Sequence, residues 1–297
     1  MRTSLPGAKP ALLLLLCFIF LCGTALAAPN DLDMVKRTGT LRHLGVAYAN
    51  FVTGLGDGLD VELMQLFAKR LGVKYEYVPT NWDDVLTDLT GVTFELKGND
   101  FKITGKTQSK GDVIANGLTI LPWRHNIVDF SVPTFPTQVW LIARPDSNIT
   151  PIKPTGDINQ DIALTRAKLK DVRVLCKTGG CLDPALYNLE QTGAKPKIFP
   201  GSPNDLAPAV IMGEAETTLL DVPDALVALQ KYPGKIKVIG PMSEMQDMAV
   251  GFAKDQKKLL EAFNTFFADL KKSGEYDRLV KKYYPLVYIY FPEFFSK

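Results

Sequence analysis

The sequence predicts an α/β protein built from two lobes, and two observations support this. Strand-like and helix-like segments alternate in two separate stretches, one before residue 143 and one after residue 172. Such alternation is typical of a parallel sheet covered by helices. In addition, the chain has 297 residues, a length at which a single hydrophobic core usually divides into domains.

Residues 1–27 have the layout of a cleavable secretory signal. Basic residues precede the apolar run 11–22, and a small-residue cleavage pattern follows at residues 25–27. A retained membrane anchor is the alternative, but the apolar run is shorter than a bilayer span requires. We therefore expect a mature chain that begins at Ala28, lies in the periplasm and does not stay inserted in the membrane.

The first lobe opens with a short helical segment and then alternates strand with helix. Residues 40–47 alternate like a strand, apolar residues between 61 and 71 recur at helical spacing, residues 73–78 predict a strand and residues 82–89 a helix. Residues 90–110 interrupt this order, since two apolar runs flank a turn-like Lys-Gly-Asn-Asp sequence. That pattern predicts an inserted β-hairpin.

The second lobe repeats the alternation. A strand at 139–143 leads into a polar, proline-bearing connection at 144–156, which we interpret as the first crossover between lobes. Further strands and helices are predicted up to residue 239, and the chain then returns near residue 250 to two amphipathic helices. The predicted domains are lobe 1 at 28–140, with the hairpin inserted at 90–110, lobe 2 at 141–248, and a return to lobe 1 at 249–297.

The segment from Gly117 to Arg124 predicts an anion-binding site. A glycine kink, the hydroxyl of Thr119 and the guanidinium of Arg124 can converge on one small carboxylate. Arginine suits this task because its planar fork donates two parallel hydrogen bonds and keeps its charge. The alternative is that Arg124 lies at the surface in an ion pair with Asp129.

Other partners and cofactors are not expected from the composition. The 34 Lys and Arg nearly balance the 32 Asp and Glu, which gives no basic surplus for nucleic acid or anionic membrane. The sequence Gly-x-Gly-x-Gly at 54–58 lacks the spacing of a dinucleotide site, and His43 and His125 do not fall into a metal-ligand pattern. We expect no cofactor and no metal.

Cys176 and Cys181 are the two cysteines that remain after the leader. Because an exported protein enters a compartment where disulfides persist, a bridge that stiffens the loop between them is one reading. Two unpaired thiols are the other.

Five segments, in this order, resemble family 3 extracellular solute-binding proteins, which are the polar amino-acid receptors of ABC importers. They are Gly39 to Arg42, Gly58 to Val61, Gly117 to Ser131, Leu220 to Pro223 and Ser273 to Tyr283. The resemblance implies a type II periplasmic binding protein-like fold. In that fold two crossover strands form a hinge, and the two α/β lobes close over one small ligand.

The resemblance also implies roles for single residues. Gly117, Thr119 and Arg124 match the positions that hold the α-carboxylate of the ligand, and Asp221 matches the position that binds its α-ammonium. Asp221 could instead cap the helix that starts near Pro223, since Asp-x-Pro is a common helix start.

The remaining predicted ligand contacts are two aromatic residues and one turn. Trp82 and Phe51 match places where the family often sandwiches the ligand's aliphatic part. Trp82 could equally be a core anchor, and the loop 48–51 aligns in more than one register. Thr178 and Gly179 lie where the family has a glycine-threonine turn.

The function implied by the resemblance is that of a non-catalytic, monomeric receptor. It would capture a small zwitterionic or anionic solute and deliver it to the membrane permease of an ABC importer. A periplasmic dehydratase on the same fold is the alternative, with His125 as the nearby candidate acid or base, as is a sensory or accessory binding subunit. The hairpin and an aromatic tail at 286–297 depart from the usual receptor; the tail either covers apolar surface or offers a docking patch.

Overall fold

The computed structural model describes residues 31–97 and 100–295. The predicted signal peptide and the tip of the hairpin, residues 98–99, lie outside the described residues. Within them the predicted two-lobe α/β fold is confirmed, because two separate five-stranded sheets are each covered by helices.

The strands are numbered in chain order. They are β1 (Thr40–Gly45), β2 (Lys74–Pro79), β3 (Val92–Lys97), β4 (Asp100–Lys106), β5 (Val113–Ile114), β6 (Val128–Phe130), β7 (Phe135–Thr137), β8 (Val139–Ala143), β9 (Arg173–Cys176), β10 (Lys195–Ile198), β11 (Thr217–Asp221), β12 (Lys237–Pro241), β13 (Gln246–Met248) and β14 (Gly251–Ala253).

The α-helices are numbered in the same way. They are α1 (Asp31–Thr38), α2 (Leu59–Leu71), α3 (Val85–Thr90), α4 (Ile158–Arg166), α5 (Leu206–Ile211), α6 (Val222–Lys231), α7 (Lys257–Lys272), α8 (Glu275–Tyr283), α9 (Val287–Tyr290) and α10 (Pro292–Phe295). Within the described residues, short 3₁₀ helices lie at 124–126, 184–187, 189–192 and 203–205.

The first sheet has the strand order β2-β1-β5-β14-β6. Strand β1 pairs in parallel with β2 and β5, while β14 runs antiparallel to β5 and β6. Helix α2 covers this sheet because its apolar positions recur at helical spacing and bury Leu63, Met64 and Phe67. The helix ends at Gly72, whose left-handed φ of 72° suits glycine and lets its N–H bond back to the last turn.

The second sheet has the order β10-β9-β11-β8-β12. Strand β8 lies inside it, antiparallel to both β11 and β12, and all five of its residues are buried. Strand β11 is also buried at every position and ends at Asp221, directly before α6. The carboxyl end of this strand therefore delivers an acidic side chain to the edge of the second lobe.

The two lobes are connected through a small antiparallel pair, β7 with β13. Our prediction that the first crossover lies at 144–156 was wrong, because β8 already belongs to the second sheet. The polar composition of 144–156 reflects instead the exposed connection from β8 to α4. The chain enters the second lobe at β7 and leaves it at β13, so two paired strands stand between the sheets.

The predicted hairpin is present as β3 and β4, which pair antiparallel in a sheet of their own. It follows directly after α3, whose C-terminus is closed by Gly91 at a φ of 66°. A Cβ at Gly91 would lie 2.6 Å from the Thr107 carbonyl oxygen, so the two ends of the hairpin approach too closely for a side chain there. We call β3 and β4 the arm.

The aromatic tail packs against the strands that join the lobes. Phe291 is buried, the Phe295 ring lies 5.9 Å from that of Phe135 on β7, and the Tyr290 ring lies 5.2 Å from that of Trp140 on β8. The tail thus covers apolar surface, the first of its two predicted roles. The covered surface includes the connection between lobes.

We expect Phe291→Ala to destabilise the protein by about 3–5 kcal/mol, the usual cost of emptying a buried aromatic site. Ile289→Ala is the matched control, since Ile289 is 71% exposed in the same tail and its truncation should change stability by about 0.5 kcal/mol or less. Urea unfolding of both variants tests this. Equal losses would contradict the packing described for the tail.

Candidate functional site

A cavity lies between the two lobes and is lined by both. The first lobe contributes Tyr48, Trp82, Asp83, Gly117, Thr119 and Arg124, and the second contributes residues 177–182, Pro203 and Asp221. The cavity leaves about 50 Å³ for the centres of water-sized molecules. It is therefore small, with room for about three to five waters.

Arg124 reaches this cavity from the 3₁₀ helix at 124–126, and its residue surface is only 5% exposed. Its Nη1 donates to the Thr119 carbonyl oxygen at 2.8 Å, while its buried Nε has no partner. Burial lowers the pKa of Arg124, but guanidinium stays charged in proteins. The arginine therefore presents an incompletely bonded cation to the cavity.

The alternative ion pair between Arg124 and Asp129 is not formed. Asp129 instead binds Lys254, at 2.8 Å, and Lys257. Hydrogen bonds and the charges of these two lysines hold the pKa of Asp129 below its ordinary value despite partial burial. Asp129 thus belongs to a surface ion-pair group, separate from the cavity.

Asp221 faces the cavity from the end of β11 and is 2% exposed. Its Oδ2 accepts hydrogen bonds from the Tyr48 hydroxyl and the Cys181 thiol, both at 3.0 Å, and its buried Oδ1 has no partner. Burial raises the pKa of Asp221, and its two hydrogen bonds and Arg124 oppose that rise. The side chain makes no capping hydrogen bond to α6, so the helix-cap alternative was wrong.

Gly117 forms the turn of the predicted anion-binding segment. Its φ is 67°, and a Cβ there would lie 2.5 Å from the Phe51 ring, so both backbone and space require glycine. The Gly117 N–H donates to Asp60 Oδ2 at 2.7 Å. This carboxylate at the start of α2 therefore holds the turn in place.

Phe51, which was predicted to contact the ligand, does not line the cavity. The side chain is 1% exposed and packs beneath Gly117 against Phe135 and Tyr284. Tyr48, three residues earlier in the same loop, lines the cavity instead. The sequence does predict an aromatic residue in this loop. Because the loop 48–51 aligns in more than one register, it does not distinguish Tyr48 from Phe51.

Trp82 lines the cavity, as do Gly117 and Thr119. Its ring meets the Tyr48 ring edge-on, with centroids 5.5 Å apart. The buried Trp82 Nε1 has no hydrogen-bond partner, which is uncommon for a buried indole. The two rings form an apolar wall of the cavity, and the Trp82 indole N–H in this wall has no acceptor.

The turn at 177–180 supplies the second-lobe rim, with both Thr178 and Gly179 in the lining. The Gly179 N–H donates to Asp183 Oδ2 at 3.0 Å, so that amide is already used. Lys177 lines the cavity beside them. This rim therefore adds a half-buried lysine and an exposed threonine to the cleft.

The predicted disulfide is absent: Cys176 and Cys181 are free thiols. Strand β9 directs Cys176 into the core of the second lobe, where its Sγ donates to the Val174 carbonyl oxygen at 3.4 Å. The following turn carries Cys181 to the cleft, where it meets Asp221. Burial raises the pKa of both thiols, so both stay protonated near neutral pH.

The lobes contact each other directly at the rim. Asn204 of the second lobe accepts from the Ala49 N–H at 2.9 Å and donates to the Ala47 carbonyl oxygen at 3.2 Å. The bond from Tyr48 to Asp221 also crosses the cleft. These contacts describe a closed arrangement of the two lobes.

His125 does not reach the cavity. It is exposed, and its ring packs against Phe130 at 4.9 Å. Across residues 31–97 and 100–295, no group of three or more His, Cys, Asp and Glu side chains is placed to bind a metal ion. Nor does any helix in these ranges have the length and apolar character needed to span a membrane.

A family model matches most of the chain, at residues 48–107 and 90–285, and its description is "Bacterial extracellular solute-binding proteins, family 3". The chain belongs to this family. The match includes the Gly117–Arg124 segment and Asp221, so the two charged sides of the cavity lie within the family region.

Family 3 relatives include both binding proteins and a longer enzyme. The chain is 26% identical over 258 residues to the L-cystine-binding protein TcyJ of Escherichia coli K12, covering 85% of each chain. It is 23% identical over 230 residues to the membrane-bound lytic murein transglycosylase F of Desulfosudis oleivorans. That match covers 77% of this chain but only 44% of the transglycosylase.

A solved structure supports the fold. The ancestral amino acid-binding protein AncCDT-1, described as a precursor of cyclohexadienyl dehydratase, superposes with a TM-score of 0.67 at 26% identity. The match covers 86% of this chain and all of that one. The type II binding-protein fold is therefore shared along nearly the whole described chain.

The Asp60 carboxyl that holds Gly117 predicts a pH dependence of stability. Burial raises its pKa from 3.8 to about 7. Because the pKa of Asp60 is higher in the folded protein than in the unfolded chain, its contribution to the free energy of unfolding is complete below about pH 4. That contribution is lost as the pH rises through about 7. We expect wild type to lose about 2–3 kcal/mol more than Asp60→Asn between about pH 5 and pH 8.

The asparagine can still accept the Gly117 N–H but cannot ionise, which isolates the effect of charge. Urea unfolding at both pH values measures it. Asp269→Asn is the control, since this half-exposed carboxylate pairs with Arg70 at the surface. Parallel pH dependence in wild type and Asp60→Asn would show that Asp60 does not titrate in this range.

Proposed function

We propose that this protein is a periplasmic receptor that captures an amino acid or a related carboxylate between its lobes. The observation that carries the proposal is the pair of buried, incompletely bonded charges, Arg124 and Asp221, on opposite walls of one cavity. An unpartnered buried polar atom costs free energy. A ligand that bonds both atoms removes that cost.

The carboxylate end of such a ligand fits the first lobe. Arg124 offers a guanidinium with a free Nε, and Thr119 and Gly117 line the same wall. A carboxylate can accept two parallel hydrogen bonds from one guanidinium. We therefore assign Gly117, Thr119 and Arg124 to the α-carboxylate.

The ammonium end fits the second lobe. Asp221 Oδ1 is buried and without a partner, and Oδ2 already accepts two hydrogen bonds. An ammonium group can donate to Oδ1 without displacing either of them. Tyr48 of the first lobe donates to the same carboxylate, so the ammonium would bind at a point where the two lobes already meet.

Delivery to a permease completes the proposal. A ligand that bonds one charge on each lobe favours the closed form, because only that form satisfies both charges. We propose that the closed, monomeric protein then docks on the membrane permease of an ABC importer. Export by the 1–27 signal remains part of this proposal, as does the absence of a cofactor.

We expect Arg124→Ala to abolish the thermal shift that amino acids or small carboxylates give with wild type. Leaving the ligand carboxylate without its partner should weaken binding by about 2–5 kcal/mol, at least about thirtyfold. A screen of amino acids and small carboxylates by thermal shift, followed by calorimetric titration, measures both.

Two further variants sharpen this test. Arg124→Lys keeps the charge but not the planar fork, so it should retain only part of the affinity. Arg144→Ala removes an arginine that pairs with Asp146 at 3.1 Å, outside the cavity lining, and should bind normally. Unchanged binding by Arg124→Ala would contradict the assignment of the carboxylate site.

A dehydratase is the second candidate, favoured by the likeness to the dehydratase precursor AncCDT-1. Such an enzyme needs a proton donor or acceptor at the cleft, and His125 does not line it. Incubation with prephenate or arogenate separates the candidates. We expect stoichiometric binding or none, and formation of a dehydrated product would overturn the receptor assignment.

A further inference from the structure

The arm, which departs from the usual receptor pattern, lies next to the ligand cavity. Beneath it is a second cavity with about 200 Å³ for the centres of water-sized molecules. We call this the arm cavity and define it by Trp82, Leu118, Trp123, Phe94 and Leu96, the last two being arm residues on β3. Seven of its lining residues have apolar side chains, and Asp83, Thr87 and Arg124 supply the polar part of its wall.

The arm cavity adjoins the ligand cavity. Trp82, Asp83, Arg124 and Gly179 line both spaces. The Trp82 ring and the Arg124 side chain therefore stand at the boundary. A ligand whose carboxylate is bound at Arg124 has its substituent next to the arm cavity.

Size supports an extended ligand. The ligand cavity alone offers about 50 Å³, far less than the arm cavity with about 200 Å³ on the same measure. Sites for small molecules usually enclose about 300–1,000 Å³ and are mostly apolar with a few polar groups. The two cavities together approach that pattern, whereas the ligand cavity by itself does not.

The chemistry of the arm cavity favours an uncharged, apolar substituent. Trp123 and Phe94 have ring centroids 6.5 Å apart, and the Arg124 guanidinium carbon lies 5.3 Å from the Trp123 ring centroid. Arg124 makes the space unfavourable for a second cation, and Asp83 is an exposed carboxylate at its edge. The buried Trp82 Nε1 adds one unused donor.

We infer that the arm forms a second subsite, which binds a long aliphatic or aromatic substituent of the same zwitterionic ligand. The inference rests on the proposed function, because Arg124 and Asp221 must bind the zwitterionic end of the ligand. It narrows the ligand class to amino acids with an extended apolar side chain. The inserted hairpin then determines specificity.

A homologous series of straight-chain α-amino acids tests this subsite. Alanine, norvaline, norleucine and 2-aminooctanoic acid share the charged end and differ only in methylene count, and phenylalanine and arginine complete the set. Burying a methylene contributes about 0.8 kcal/mol, which is about fourfold in affinity. We expect wild-type affinity to rise about fourfold per methylene, phenylalanine to bind well, and arginine to bind no better than alanine.

Arm variants locate the effect. Phe94→Ala and Leu96→Ala should each reduce the affinity for norleucine and phenylalanine about tenfold or more and leave alanine binding unchanged, which also shows that the variants fold. Glu95→Ala is the matched control. Glu95 lies between them on β3, and successive strand residues point to opposite faces.

The outcomes are distinguishable. If alanine binds in an Arg124-dependent way but affinity does not rise with chain length, or rises equally in Phe94→Ala, the subsite is wrong and the receptor proposal stands. Preference for arginine would likewise overturn the apolar subsite. If no member of the series binds and none depends on Arg124, both proposals fail.

Discussion

A buried guanidinium and a buried carboxylate face one cavity from opposite lobes, and neither has all its hydrogen-bond partners. Arg124 Nε and Asp221 Oδ1 are both without a partner. Leaving buried charged groups in this state is unfavourable, and a ligand that bonds both of them would remove that cost. The arrangement of the two sheets, the turn at Gly117 and the end of β11 all bring these two residues to the same cavity.

The surrounding structure restricts where these charges can lie. Asp60 holds the Gly117 N–H at 2.7 Å, and Phe51 fills the space that a side chain at Gly117 would need. On the other side, Tyr48 and Cys181 both donate to Asp221. These contacts hold the Gly117 turn and the Asp221 carboxylate in place. This rigidity lowers the entropic cost of binding a small ligand.

The two-lobe fold, the hairpin and half of the cavity residues could be predicted from the sequence, because periodicity and motif order depend on these features. The predictions that failed concern features that are set by three-dimensional packing. The register of the loop 48–51 depends on the space beneath Gly117, so Tyr48 and Phe51 could not be distinguished by sequence. Cys176 and Cys181 were close in sequence, but β9 and the turn after it send their side chains to different environments. The crossover was misplaced because a polar surface connection has the composition of a linker.

The central claim is that one ligand couples Arg124 and Asp221, and a double-mutant cycle tests this most directly. The affinity of wild type, Arg124→Ala, Asp221→Asn and the double variant for one bound amino acid is measured by calorimetric titration. Once either charge is lost, the ligand no longer bridges the lobes, so the second substitution should cost less than it does alone. We expect the double variant to lose about 0.5–3 kcal/mol less than the sum of the single losses. Strictly additive losses would contradict the claim, because they would mean that the two residues act on the ligand independently.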